Sequence, residues 1–137
     1  MPESRSANEY QVGGSHYKSE DLQHWDVVAR TGNNYFVGQV TKYLSRWRAK
    51  NGVEDLLKAR HYAEKMGELT DKLAPLGDAL TDYEEGFVLR FCCDGNFDRD
   101  ERRLLRAAFA MRTGEAIQKF ISSLDEFINS LPRGRVL

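Results

Sequence analysis

From Ile117 onward the apolar residues recur as Ile117, Phe120, Ile121, Leu124, Phe127, Ile128 and Leu131. Steps of three and four lay an apolar stripe along one face of an α-helix. A strand has no use for this pattern, because its side chains change face at every residue. The same period appears in Phe36, Val40, Tyr43, Leu44 and Trp47, and again in Leu104, Leu105, Ala108 and Met111. No run alternates apolar with polar, and no hairpin turn joins two β-branched stretches. The sequence therefore predicts an all-α fold, a single compact domain of five or six helices packed as a helical bundle. A chain of 137 residues is long enough to bury a core of its own.

Local signals divide this pattern into elements. Residues 1–14 are polar and aperiodic and read as a flexible N-terminal arm. Ser19 has the character of an N-cap, with Glu20 and Asp21 where the helix dipole favours acids. A first short helix carries Leu22, Trp25, Val28 and Ala29, and Gly32 supplies its left-handed terminus. A second runs from Tyr35 to about Lys50 and stops at Asn51-Gly52; a third runs from Val53 to about Leu73, before Pro75 and Gly77. Thr81-x-x-Glu84 is a capping box that opens a helix with Tyr83, Phe87, Val88 and Phe91, ending at Asp94-Gly95-Asn96. Asp98-x-x-Glu101 is a second box. Thr113-Gly114 either breaks the remaining pattern or is read through, and the break is the reading taken. Residues 15–73 then form a motif-bearing three-helix unit, with C-terminal helices over 78–131 packed on it. The Ile117–Leu131 seam suits a core or a dimer interface, and a homo-oligomer through the C-terminal helices is expected.

Composition removes several function classes. The hydrophobic fraction is 41% and the charged fraction 30%, as in a globular protein rather than a disordered one. Net charge is −1, so no general nucleic-acid binding is expected and any phosphate site must be local. No apolar run approaches the ~20 residues of a membrane helix, and no charged-then-apolar leader pattern opens the chain; a cytoplasmic protein without membrane contact is expected. Cys92 and Cys93 are adjacent and read as reduced thiols, one or both filling core space. The chain has no GxxxxGK[ST], HExxH or CxxC, and no cofactor or metal site is expected. Setting Gly95 at the sixth position of a calcium loop would make Arg90 and Cys92 the first and third ligands. A cation and a thiol do not suit calcium, so the stretch is a helix stop followed by a capping box.

Polar residues at helical spacing stand out between Gly13 and Met66. Gln39, Lys42, Arg46 and Lys50 form a line about a quarter turn from the apolar centre of the second helix. A cation on that border is partly desolvated and holds a phosphate well. Asp55, Lys58 and Tyr62 share a face of the third helix, with His61 to one side. Asn33 and Asn34 precede the second helix, where backbone N–H groups attract anions. His16 and Tyr17 follow Gly13-Gly14, whose backbone admits a ligand closely. Together these residues suit a nucleotide. Lys42, Arg46 and Lys50 would hold phosphates, His16 and Asn34 would orient the ligand, and Tyr17, Tyr43 or Trp47 would stack on the base. The alternative is that the cations are merely solvated and Asp55 pairs with one of them. Spacing leaves both readings open.

The order His16-Tyr17, Phe36-Val37-Gly38, Lys42-Tyr43-Leu44-Ser45-Arg46, Lys50 and Asp55-Leu56-Leu57-Lys58-Ala59-Arg60-His61-Tyr62 resembles a small phage family of unknown function. That family is often called SaV-like and sometimes labelled a nucleotide kinase. The resemblance covers the first half of the chain, and Trp47-Arg48-Ala49 departs from the usual small or basic linker. It implies a phage origin and a nucleotide-related role in the host cytoplasm. The leading expectation is an accessory protein that binds a nucleotide or cyclic nucleotide without catalysis, sequestering a host nucleotide signal in defence evasion or modulating nucleotide pools. One alternative is a nucleoside monophosphate kinase without a P-loop, using Mg2+ with Asp55 as a metal contact and His16 as acid or base. Another is a helical interaction protein that inhibits a host enzyme.

Overall fold

A computed structural model describes residues 22–73, 77 and 79–132. The arm at 1–14, His16, Tyr17, the Ser19 cap with its acids, and Pro75 lie outside the described residues. Among the described residues there are six helices and no strand: α1 (His24–Arg30), α2 (Tyr35–Arg46), α3 (Val53–Glu68), α4 (Asp82–Asp94), α5 (Arg99–Ala110) and α6 (Gly114–Ser130). The fold is all-α.

The helix ends follow local chemistry. α1 starts after Gln23 rather than Ser19, and the Asp26 carboxylate accepts the Gln23 backbone N–H at 2.9 Å. Gly32 takes a φ of +62° behind α1, as its sequence position predicts. The Asn34 side chain caps α2 by accepting the Val37 N–H at 2.9 Å. α2 ends at Arg46, short of Lys50, and residues 47–52 form the turn into α3. Gly52 at φ +64° closes it, donating to the Trp47 carbonyl at 2.8 Å. α3 ends at Glu68 rather than Leu73, and its last turn loosens through 69–73. Thr81 and Glu84 form the expected capping box, as do Asp98 and Glu101. The Thr113 hydroxyl accepts the Ala116 N–H at 3.1 Å and opens α6, so the chain breaks there.

α2 packs along α3 and also on α5; α6 packs on α3 and α5, while α1 and α4 close the other side. The core joins Val37, Val40 and Leu44 of α2, Leu56 and Ala59 of α3, Leu105 and Phe109 of α5, and Ile117, Phe120 and Leu124 of α6. Each large side chain buried there contributes about 1.5–3 kcal/mol. The α6 seam is thus occupied within the chain: its first four members are buried, and Phe127, Ile128 and Leu131 pack on the core edge. The first four are core residues, while Phe127, Ile128 and Leu131 keep part of their surface exposed. In α1 the core residue is Val27, whereas Trp25 and Ala29 are exposed. Tyr83 of α4 is exposed too, and Val88 and Cys92 make the buried contact. Cys92 fills core space and Cys93 does not.

Polar contacts, some buried and some at the surface, tie the elements together. Glu101 accepts from Trp47 Nε1 at 2.7 Å, Arg48 Nε at 3.0 Å and the Asp98 backbone N–H at 3.0 Å. Arg60 donates both arms of its fork to Asp125, at 2.7 and 3.2 Å, joining α3 to α6. Arg112 donates to Asn33 Oδ1, and Asn33 Nδ2 donates to the Phe109 carbonyl at 3.2 Å. This last set fastens the end of α5 to the α1–α2 loop.

Candidate functional site

The turn at 47–52 folds α3 back along α2, so residues late in α2 face residues early in α3. Arg46 therefore meets Asp55, and Tyr43, one turn earlier, meets Tyr62 further along α3. The apolar centre of α2 lies on Val37, Val40, Thr41 and Leu44. That is one residue round from the sequence expectation, which leaves Phe36 and Tyr43 half-buried at its border. The Tyr43 ring stacks on Tyr62 with centroids 5.9 Å apart and planes 15° from parallel. Tyr35 meets Tyr62 edge-on at 6.0 Å. A hydrogen bond with Tyr62 raises the Tyr35 phenol above its ordinary pKa.

Three cations surround the Tyr43 ring. Lys42 Nζ lies 5.2 Å from its centroid, Arg46 Cζ 4.7 Å and Lys58 Nζ 5.5 Å. Each contact is worth about 0.5–1 kcal/mol at such a site. The three charges lie within roughly a Debye length, ~10 Å, of one another and are poorly screened from each other. An anion among them relieves that repulsion. Beside the ring is a cleft of about 370 Å³ lined by Tyr43, Glu54, Leu57, Lys58, His61 and Tyr62.

The residues predicted from sequence divide into three groups. Lys42, Tyr43, Arg46, Lys58 and Tyr62 come together. Asp55 is close by but fully buried, pairing with Arg46 Nε at 3.4 Å and accepting from the Asn51 backbone N–H at 3.3 Å and Nδ2 at 3.2 Å. This is the pairing that spacing had left open. Asn34 is engaged as the α2 cap, and Lys50 is exposed in the turn beyond the helix. Trp47 faces Glu101 and Phe127 rather than Tyr43. Lys42 and Lys58 have no ion pair among the described residues, and Arg46 Nε has no hydrogen bond. Tyr35 and Leu57 belong to this face without having been singled out. Leu57 was signalled by its place three residues after Glu54 and four before His61, and it is 51% exposed.

Behind α2, His24 Nε2 lies 2.6 Å from Thr41 Oγ1. The Thr41 hydroxyl donates to the Val37 carbonyl at 2.8 Å, which makes His24 Nε2 the donor of the pair. Burial, helped by Lys42, pushes the His24 pKa down to about 4. The imidazole is neutral at neutral pH.

Fold and site together define an all-α domain whose α2–α3 hairpin carries an aromatic patch ringed by cations. Residues 12–64 match the profile of DUF3310, a protein family of unknown function. The matched stretch contains α1, α2, most of α3 and every residue around Tyr43, and leaves α4–α6 outside it. Comparison with the curated proteins and with the solved structures gives no match. No helix among the described residues is long and apolar enough to cross a membrane.

Proposed function

We propose that the protein is a phage-encoded accessory factor that binds a phosphorylated nucleotide on the α2–α3 face in the host cytoplasm, without a chemical step. The observation that carries this reading is the set of three cations around the stacked Tyr43 ring. Lys42 and Lys58 hold the phosphates, being the two without a counter-ion among the described residues. Arg46 is oriented by Asp55 and presents the remainder of its fork. Tyr35, 61% exposed, and Tyr62 offer ring surface to the base. Binding is favoured over phosphoryl transfer because the Asp55 oxygens, which the kinase reading would place on magnesium, already serve Asn51 and Arg46.

Calorimetry with nucleoside mono-, di- and cyclic phosphates tests the reading. Lys42→Ala and Lys58→Ala should each weaken binding roughly 10-fold or more, the value of a lost charge-assisted contact. Helical circular dichroism should not change. Heat from none of these ligands, or wild-type affinity in both variants, rejects the proposal. Recovery of ligand unchanged after incubation with ATP and magnesium separates binding from a kinase.

A further inference from the structure

On the opposite side of α2, the end of that helix, the start of α1 and the α4–α5 loop enclose a cleft of about 270 Å³. Its walls include Trp47, Phe91 and Phe97, and its polar lining includes His24, Asp94 and Asn96. The Phe91 and Phe97 rings lie 5.8 Å apart at 47°. The wall depends on a glycine: a Cβ on Gly95 would fall 2.3 Å from Phe97 Cε2 and 2.7 Å from Cδ2. Gly95 has an ordinary φ of −78°, so its requirement is for space beside the ring rather than for unusual backbone.

Electrostatics narrow the occupant. Trp47 Nε1 is taken by Glu101, so the indole in the wall has no free donor, and the Arg48 guanidinium lies 4.6 Å from the indole centroid. Arg48, the nearest cation, is held by Glu101 at 3.0 Å and Asp98 at 3.2 Å. His24 is uncharged, and the Thr41 contact leaves its Nδ1 as an acceptor. No lining cation is therefore free to neutralise a phosphate, while Asp94 would repel one. Asp94 lies 3.8 Å from Arg90, beyond hydrogen-bonding distance, so its oxygens remain open acceptors. Asn96 has both an amide donor and an acceptor.

We propose that this cleft binds an uncharged purine base or nucleoside, stacked against Phe91 and Phe97 and read at its edge by Asp94 and Asn96. Guanine is preferred, because its N1–H and N2–H donors are adjacent and match one carboxylate. The site is separate from the α2–α3 face and does not depend on the nucleotide reading made for that face.

Trp47 supplies the measurement. In a Trp25→Phe background the remaining indole lies in the cleft wall, and titration with guanosine should change its fluorescence saturably. Adenosine should bind at least 10-fold more weakly than guanosine, and so should guanosine 5′-monophosphate when Lys42→Ala and Lys58→Ala are added to remove the phosphate contacts of the other face. Phe97→Ala should weaken guanosine at least 10-fold, and Asn96→Ala, on an exposed loop residue, several-fold without disturbing the fold. Lys58→Ala should leave guanosine affinity unchanged. The proposal is overturned by the absence of a saturable signal, by equal affinity for the monophosphate once both lysines are replaced, or by wild-type affinity in Asn96→Ala. None of these results bears on whether Lys42 and Lys58 hold a nucleotide on the other face.

Discussion

Asp55 has no exposed surface, and its carboxylate is offset by one guanidinium and two donors of Asn51. Removing one partner of such a pair leaves a charge stranded in the interior. Arg46→Ala is therefore expected to cost about 3 kcal/mol of stability. Lys42→Ala and Lys58→Ala, whose partners are a ring face and solvent, should stay within about 1 kcal/mol of wild type. Urea unfolding followed by circular dichroism distinguishes them, and equal midpoints for all three would show that the Arg46–Asp55 pair is not a structural tie. This makes the two lysines, not Arg46, the clean probes of ligand binding. His24 gives a second test at this scale. Its pKa falls from 6.5 in the unfolded chain to about 4 in the folded one. Between those values the unfolded chain binds the extra proton, so stability is full above pH 6.5 and lost as pH falls towards 4. The loss attributable to His24 is up to about 3 kcal/mol. A His24→Gln variant should show a flatter stability profile between pH 6.5 and 4.5; an unchanged slope would assign the acid sensitivity to other groups.

The two capping boxes, Thr81-x-x-Glu84 and Asp98-x-x-Glu101, are equivalent as sequence and unequal as structure. Glu84 lies near the surface, and its hydrogen bonds from the Thr81 backbone and hydroxyl hold its carboxyl below the usual range. Glu101 is 4% exposed and also accepts from Trp47 and Arg48 of the α2–α3 turn. Glu84→Ala should lower the melting temperature only slightly, since it removes one exposed cap contact. Glu101→Ala should cost about 3 kcal/mol or more, because a buried indole N–H loses its acceptor as well. Similar losses in thermal melts of the two variants would contradict the tertiary role of Glu101. The contrast shows what was legible. The starts of α2 to α6, the break at Thr113 and the α6 seam depend on residues a few positions apart, and these were readable, whereas the start of α1 at Gln23 was not. Gathering Lys42, Arg46, Lys58 and Tyr62 around Tyr43 needed only two adjacent helices and a short turn, so that much of the site was readable too. The burial of Asp55, the diversion of Trp47 to Glu101 and the cleft beside Phe97 depend on partners more than forty positions away or on the packing of several helices. No local pattern encodes them.

Across the whole molecule, the motif-bearing half and the C-terminal helices share one core. α2 and α3 carry Val37, Leu44, Leu56 and Ala63, and their inner faces meet Leu105 and Phe109 of α5 and Ile117, Phe120 and Leu124 of α6. The Arg60–Asp125 fork and the Glu101 contacts join the same two halves. A fragment ending at Leu73 would retain every residue around Tyr43 while exposing the apolar side of the hairpin that carries them. Isolated helices of this length are marginal in water, and the face meant for α5 and α6 would add exposed apolar area. Such a fragment should give weak helical signal, no cooperative melt and no nucleotide heat. Phe120→Ala in the full chain acts on the same interface from the other side. It should cost about 3–5 kcal/mol while leaving Lys42, Tyr43 and Lys58 untouched. Above its lowered melting temperature it should lose ligand, and well below it should bind as wild type. A fragment that melts cooperatively and binds like the full chain would show that the hairpin stands alone, and that α4–α6 serve something other than its support.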